Sequence, residues 1–167
     1  EKCWPAGKDN MKKEQLGELI IRSEDMLYHV AKTLLCNDAD CADAIQEAIV
    51  KAFANLHKLR EDSYARTWLT RILINECYGV MRREKRIVSL DEYYCEETEE
   101  YKDYTDLYEA LRHLAPEIRI CVTLYYLEGY SVKETAQLLG ITESAVKNRL
   151  ARARAKLRSE LEPAAGT

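Results

Sequence analysis

The sequence has few residues that turn or break a chain, with 6 Gly and 3 Pro among 167 residues. So few turn formers argue against an all-β fold, and a hydrophobic content of 47% argues against general disorder. No apolar run reaches the length of a membrane-spanning helix, and the opening EKCWPAGKDN lacks the apolar stretch of a signal peptide. These absences predict a mostly helical protein that stays in the cytoplasm without membrane insertion.

Paired cysteines are also lacking, because the six cysteines at 3, 36, 41, 77, 95 and 121 include no CxxC. A zinc ribbon or a thioredoxin-type site therefore has no support. Cys36 and Cys41 could share a metal with His29, but no second ligand pair is present, which favours reduced thiols in a helical domain. We expect no metal and no cofactor.

Charge divides the chain, whose formal net charge is −4, into blocks. Eight basic residues face four acidic ones in 58–86, nine acids face Lys102 in 89–110, and six basic residues stand without an acid in 145–158. The acidic stretch begins with little helical periodicity, so we predict a linker at 89–107 between domains at 11–88 and 108–161. The first ten residues differ in character from the rest of the chain, and Met11 is a candidate native start.

Apolar spacing predicts a bundle of about four helices before the linker. One helix covers 26–35. The next has a buried face formed by Ile45, Ala48, Ile49, Ala52, Phe53 and Leu56. A further helix starts near Tyr64 and buries Leu69, Ile72, Leu73, Cys77 and Val80.

Cap and turn residues predict a helix-turn-helix after the linker. Pro116 suits the first turn of a helix that Gly129 ends. Ser131 and Glu134 then form a capping box for a short helix, which has an inner face of Val132, Ala136 and Leu139. Gly140 makes the turn, and Thr142 caps the last helix, whose buried stripe is Val146, Leu150, Ala153 and Leu157.

The outward side of that last helix is basic and carries Ser144, Lys147, Asn148, Ala151, Arg152, Ala155 and Arg158. Its N-terminal part is the part that enters the major groove in this motif. Lys147 or Arg152 can donate to guanine, Asn148 can pair with adenine, and Ala151 can touch a thymine methyl. Arg149 belongs to the predicted DNA-binding set, and the cations placed for phosphates are Arg154, Lys156 and Arg158. A solvated helix end would also explain the charge, but the capped helix and glycine turn before it favour DNA.

A second outward stripe lies on the helix that contains Trp68, where Arg71, Asn75, Tyr78 and Arg82 recur at helical spacing. Cations can hold phosphates and a ring can stack on a base, so the stripe suits a single nucleic-acid strand. An ordinary solvated face explains it equally well. For Trp68 itself, a place in the core is favoured over stacking on a base.

Three stretches resemble bacterial RNA polymerase sigma factors of the extracytoplasmic-function group, which keep only regions two and four. DAIQEAIVKAFANL resembles the region-two helix that grips the clamp helices of the polymerase. YARTWLTRILINECYGVMRREKR is similar to the stretch that reads and melts the minus-ten element. LAPEIRICVTLYYLEGYSVKETAQLLGITESAVKNRLARARAKLR is similar to region four, which reads the minus-thirty-five element. Their order, with an acidic linker between them, makes the resemblance specific.

The resemblance implies an all-α fold of two small domains and a role in promoter recognition without catalysis. It assigns the clamp contact to Asp43, Gln46 and Glu47, although a plain polar helix face would also explain these residues. It assigns the minus-ten strand to Lys58, Arg60, Asp62, Ser63, Tyr64, Arg71, Asn75, Tyr78, Arg82 and Arg83, with a flipped base in the loop at 58–64. The implied partners are core RNA polymerase, promoter DNA and an anti-sigma factor.

Two other functions are weighed against this one. A one-component repressor or activator would bind a palindromic duplex without polymerase, using the N-terminal bundle to dimerise or sense a ligand. The polar stripe from Arg71 to Arg82 argues against a dimer interface there. A nucleic-acid enzyme lacks support, because the sequence has no Gly-rich phosphate loop, no HExxH and no paired-carboxylate metal motif on its basic faces.

Overall fold

The computed structural model describes residues 10–35, 37–87 and 105–161, and all regular elements within them are helical. These helices divide into two units. The first unit contains α1 (Lys13–Arg22), α2 (Glu24–Leu34), α3 (Asp38–Ala54) and α4 (Ala65–Ile87). The second contains α5 (Thr105–Arg112), α6 (Pro116–Val122), α7 (Val132–Leu139) and α8 (Glu143–Leu161). The predicted all-α fold of two domains is confirmed.

The predicted linker falls largely outside the described residues, which resume at α5. That helix begins at Thr105, ahead of the predicted start of the second domain at 108. Cys3, Cys36 and Cys95 lie outside the described residues as well. Among the helices of the described ranges, none is long and apolar enough to cross a membrane.

Helix α1 is the element of the first bundle that periodicity did not reveal. It begins where the Gln15 side chain accepts a hydrogen bond of 2.7 Å from the backbone N–H of Lys12. Leu16 is fully buried while Ile21 is 73% exposed, so the apolar residues of α1 do not form one clean stripe. This irregular pattern explains why the helix was missed.

The buried face of α3 is rotated from the predicted one. Its buried residues are small, namely Cys41, Ala44, Ala48 and Ala52. The larger members of the predicted stripe are only half-buried, namely Ile45, Ile49, Phe53 and Leu56. Small side chains let the backbones of α3 and α4 approach closely, so the larger ones are displaced to the flanks of the contact. Those four residues are therefore less buried than predicted.

Helix α4 agrees more closely with the prediction. Leu69, Leu73 and Cys77 are fully buried, and Val80 is 8% exposed. Ile72 is half-buried, whereas Ile74, absent from the predicted set, is 1% exposed. Trp68 is half-buried, so its ring lies at the edge of the bundle.

The buried thiols of the first unit are protonated at physiological pH. Burial is the main reason that the pKa of Cys41 is raised to about 12 and that the pKa of Cys77 is raised to about 12. A thiol that keeps its proton is a poor nucleophile and a poor metal ligand. Within the described ranges, no group of three or more His, Cys, Asp or Glu side chains is placed to hold a metal ion.

The second unit shows the predicted caps and turns. Pro116 occupies the first turn of α6. At α7, Ser131 N–H donates to Glu134 Oε2 at 2.7 Å and Glu134 N–H donates to Ser131 Oγ at 3.1 Å, which completes the capping box. Ala145 N–H donates to Thr142 Oγ1 at 3.1 Å at the start of α8. The helix-turn-helix of α7 and α8 is thus built from the residues that predicted it.

One feature of the second unit was not expected, because α6 continues into a π-helical segment, Thr123–Leu127. Residues from Ile120 to Leu124 are buried in succession, and Tyr126 and Leu127 then turn outward, 51% and 42% exposed. The chain ends this segment at Gly129, which has the predicted positive φ of 74°. The π segment places an aromatic ring on the surface of the unit.

Gly140 should resist substitution because its φ is +66° at the turn between α7 and α8. Gly140→Ala should destabilise the second unit by about 1–2 kcal/mol, the usual cost of placing an L-amino acid with a Cβ in the left-handed helical conformation. A Cβ there meets nothing within 4 Å, so the loss would come from the backbone alone. Calorimetric unfolding measures it. As a control, Gly17→Ala inside α1 also meets nothing within 4 Å and should stabilise the first unit by about 1 kcal/mol. Equal effects at the two positions would contradict the assignment of a left-handed conformation to Gly140.

Candidate nucleic-acid interfaces

The outward face of α8 is fixed by the residues that α8 buries. Val146 is 0% exposed, Leu150 3% and Ala153 1%, and they pack in one cluster with residues of α6 and α7. The opposite side is exposed along its length and carries Ser144, Lys147, Asn148, Ala151, Arg152 and Arg158. The structure therefore brings these predicted DNA-binding residues together on one surface, next to the helix N-terminus that Thr142 caps.

Two cations of α8 lie away from that face. Arg149 is half-buried and hydrogen-bonds the Cys121 thiol of α6, whose pKa is raised by burial and lowered in part by this contact. Lys156 donates from Nζ to the backbone carbonyl of His113, at the end of α5. Both side chains thus contact the rest of the unit. Arg149 stays a predicted DNA ligand, but the contact that the structure shows for it is internal.

Arg154 lies at the edge of the outward face and contacts α6's π-helical extension. Its Nη1 donates a hydrogen bond to Tyr126 Oη at 3.1 Å. Both side chains are exposed. The pair adds a phenol hydroxyl to a surface that otherwise consists of α8 residues.

The loop between α3 and α4 is held by two short 3₁₀ turns, Leu56–Lys58 and Asp62–Tyr64. Leu59, 6% exposed, anchors the loop in the bundle. The predicted strand-binding residues of the loop surround this anchor: Lys58, Arg60, Ser63 and Tyr64 are exposed and Asp62 is half-buried. A loop pinned at one apolar residue presents the polar residues on both sides of it to solvent.

The stripe on α4 is exposed as predicted at Arg71, Asn75 and Arg82, and Arg83, which lies beside the stripe, is also exposed. Tyr78 is half-buried, so its ring is partly occupied by contacts within the unit. This face is polar along about three helical turns. It is suited to a flexible strand, which can lie along a row of cations and one ring.

The outward face of α3 carries the residues assigned to polymerase binding. Asp43, Gln46 and Glu47 are exposed. At its border, Lys51 Nζ lies 2.6 Å from Glu76 Oε1 of α4 and 3.9 Å from Glu47 Oε1. Because Lys51 is paired with α4, the face keeps an acidic character.

Val50 lies on that same face and was missed by the sequence reasoning. It is 61% exposed and comes four residues after Gln46 and three after Glu47, so it continues their row. The signal that could have found it is its spacing, because Val50 falls outside the buried stripe of α3. Val50 therefore adds an apolar side chain to a face that is otherwise polar.

Comparison with known proteins identifies the family of the chain that carries these surfaces. The Sigma-70 region 2 model matches residues 19–87, and the Sigma-70 region 4 model matches residues 104–157. The ECF RNA polymerase sigma factor SigM of Mycobacterium tuberculosis is 33% identical over 144 residues, which are 84% of this chain and 74% of SigM. The chain belongs to the ECF RNA polymerase sigma factors.

Two further proteins extend the comparison of this sigma factor. The RNA polymerase sigma factor SigV of Bacillus subtilis is 30% identical over 139 residues, covering 80% of this chain and 83% of SigV. The sigma factor RpoE of Bartonella quintana, solved with the anti-sigma factor NepR, shares the fold with a TM-score of 0.76 and 23% identity. That match covers 90% of this chain and 99% of RpoE. This sigma factor directs RNA polymerase to promoters and initiates transcription.

The internal contact of Arg149 distinguishes it from its neighbour Arg152. Arg149→Ala should lower the free energy of unfolding of the second unit by about 1 kcal/mol, because it removes the hydrogen bond to the buried Cys121 thiol. Arg152→Ala, at an exposed site on the same helix, should leave that free energy unchanged within about 0.5 kcal/mol. Calorimetric unfolding of both variants measures this difference in free energy. Equal stability of the two would show that the Arg149 contact contributes nothing.

Proposed function

We propose that this sigma factor works by binding alone, with the α8 face on the duplex of the minus-thirty-five element and the first unit on polymerase and the minus-ten strand. The observation that carries the proposal is the sidedness of α8. Its apolar stripe is buried in the unit, and the predicted base-reading residues are all exposed on the opposite side. A helix fixed in this way can enter a major groove without rearrangement of the domain.

Base reading is proposed for the N-terminal half of that face. The long side chains of Lys147 and Arg152 supply donors for guanine, and the amide of Asn148 matches adenine. Ala151 between them is small, so the helix can approach the base edges closely. The hydrogen-bonding groups that these residues present are those that the major groove distinguishes.

The first unit is proposed to hold the single strand at the minus-ten element. Extruding a base from a duplex costs a few kcal/mol, which contacts to the strand must offset. The loop anchored at Leu59 and the α4 stripe from Arg71 to Arg82, with Arg83 beside it, provide those contacts on adjoining parts of one bundle. A second contact upstream, tethered in the same chain, raises the effective concentration of the first unit at the promoter.

Polymerase binding is proposed for the α3 face. Its acidic and amide groups, Asp43, Gln46 and Glu47, suit a basic partner surface, and Val50 supplies an apolar anchor beside them. The polar rim would exclude water around this anchor, the arrangement found at the centres of interfaces.

Silencing by an anti-sigma factor is part of the proposal, as is action in the cytoplasm where the polymerase works. The support for a silencing partner is the shared fold, because RpoE of Bartonella quintana was solved in complex with NepR. An anti-sigma factor that covers the surface for the promoter or the surface for the polymerase would be enough to inhibit a protein that acts only by binding.

Charge reversal at Arg152 tests the upstream contact. The full chain is mixed with sigma-free core polymerase and a pool of random promoters, and the transcript starts are sequenced. The native chain should select a two-part motif. Arg152→Glu should weaken selection of the upstream half by roughly ten- to a hundredfold and leave polymerase affinity intact.

The matched control for Arg152 is Arg112→Glu, which reverses an exposed charge on α5 in the same unit but away from the α8 face. It should keep the two-part motif. If Arg152→Glu instead loses polymerase and keeps promoter choice, the assignment of the second unit to DNA is wrong. A tight complex of the chain alone with a palindromic duplex would favour the one-component regulator.

Val50 offers a separate test of the α3 face. Val50→Ser removes the apolar contact without adding charge and should weaken the affinity for core polymerase by at least about fivefold, the threshold of an interface anchor. Ile21→Ser changes an even more exposed apolar residue, 73% against 61%, on α1 of the same unit, and should have no effect. Both affinities are measured by titrating labelled protein with core polymerase. Equal losses would indicate a general effect of surface polarity and would remove Val50 from the interface.

A further inference from the structure

The hydrogen bond between Arg154 and Tyr126 joins two elements that meet at the surface of the second unit. Arg154 belongs to α8, and Tyr126 belongs to the π-helical segment that extends α6. The donor Nη1 and the phenol oxygen are 3.1 Å apart. Both side chains face solvent, so the bond is not needed to satisfy a buried polar group.

The ring of Tyr126 is held in its outward position by Tyr125. The two rings meet edge to face, with centroids 4.9 Å apart and an interplanar angle of 86°. Tyr125 is half-buried and packs against the core of the unit. The phenol of Tyr126 is therefore braced from behind, although it is 51% exposed. Segments of π-helix recur at functional positions in proteins, and this one places the phenol beside α8.

The chemistry of the pair favours an anion. When Tyr126 Oη accepts from Arg154, the hydroxyl still has its own proton to donate, and the guanidinium keeps its remaining N–H groups. Within the described residues, Arg154 has a neutral hydroxyl as its hydrogen-bond partner and no carboxylate in an ion pair. None of the described residues thus neutralises its positive charge. Two neighbouring donors with a net positive charge match the oxygens of a phosphate.

The position of the pair identifies the source of that phosphate. Lys147, Ala151, Arg154 and Arg158 succeed one another at spacings of four, three and four residues, so they form one row along α8. The first half of the row faces the proposed base edges. Arg154 lies two helical turns farther on, where the recognition helix leaves the bases and the DNA backbone borders the groove. Tyrosine and arginine side chains are both common ligands of backbone phosphates.

We propose that Tyr126 and Arg154 form a binding site for one backbone phosphate of the upstream promoter duplex. Tyr126 donates to a phosphate oxygen and also fixes the guanidinium of Arg154 in the direction of the phosphate. The site carries no base preference, and it sets the register of α8 on the duplex. This inference rests on the proposed contact of α8 with the minus-thirty-five element.

The test uses holoenzyme assembled from the full chain and core polymerase, with promoter affinity measured as a function of salt. Tyr126→Phe should weaken promoter binding by roughly three- to tenfold, because it removes one hydrogen bond and releases Arg154. Arg154→Ala should lower the slope of log affinity against log salt by about 0.9, the value of one phosphate contact. Tyr126→Phe should lower the slope by less. The double variant should lose more affinity than Arg154→Ala but less than the sum of the two single losses, because the two residues are coupled and act on the same phosphate.

Tyr125→Phe is the matched control, because it removes a hydroxyl from the adjacent ring and retains the brace. It should leave both affinity and salt slope unchanged. The loss from Tyr126→Phe should also be the same on promoters with altered minus-thirty-five bases, since a phosphate contact is independent of sequence. The unfolding temperature of each variant is recorded to exclude a loss of folded protein.

Other outcomes would overturn the inference. Unchanged promoter affinity in Tyr126→Phe would reject the site. Weaker binding to core polymerase in the absence of DNA would show that Tyr126 contacts a protein, and base-dependent losses would show direct readout. Arg152→Glu, measured in the same assay, distinguishes failure of the phosphate site from failure of the proposed function. If Arg152→Glu weakens the upstream contact and Tyr126→Phe does not, only the phosphate site fails, whereas no effect of either variant rejects the placement of α8 on DNA.

Discussion

The burial of one apolar stripe on α8 is the interaction on which the second unit depends. Val146, Leu150 and Ala153 are almost inaccessible to solvent and pack among residues of α5, α6 and α7. Burying a Val or Leu side chain contributes roughly 1.5–3 kcal/mol, so this stripe fixes the rotation of α8 about its axis. Each side chain on the opposite face then has a determined direction. The proposed recognition of DNA by α8 therefore depends on packing, because a helix that could rotate would present a different set of side chains to the major groove.

A comparable constraint organises the first unit, although it works through small residues. Cys41, Ala44, Ala48 and Ala52 line the buried side of α3, and their size lets α4 lie close. This close contact turns the acidic row and Val50 to the solvent side of α3. It also fixes the start of α4 and with it the loop that Leu59 anchors. The surfaces proposed for polymerase and for the minus-ten strand thus both depend on this one helix contact.

The local parts of this structure could be read from the sequence, and the parts that depend on tertiary contacts could not. The capping box at Ser131 and the turn at Gly140 are encoded by a few adjacent residues, so their prediction succeeded. The rotation of α3 depends on how closely α4 approaches, which periodicity does not report. Arg149 and Lys156 belong to the same basic run as Arg152, and only the fold shows that they contact Cys121 and His113. Tyr126 was missed because a π segment shifts the helical phase after Leu124.

The cations of the first unit and those of α8 differ in their charged neighbours. In the first unit, Lys32 lies 2.6 Å from Asp38 and Lys51 lies 2.6 Å from Glu76, so these lysines are neutralised within the protein. On α8, Arg154 and Arg158 are one turn apart, as are Arg152 and Lys156, and like charges at this spacing destabilise a helix by a few tenths of a kcal/mol. A single acidic residue in place of Arg152 or Arg154 would instead pair with the cation one turn farther on. An external polyanion that lies against the helix would relieve this repulsion. In the proposed complex with the promoter, the DNA phosphates supply that negative charge.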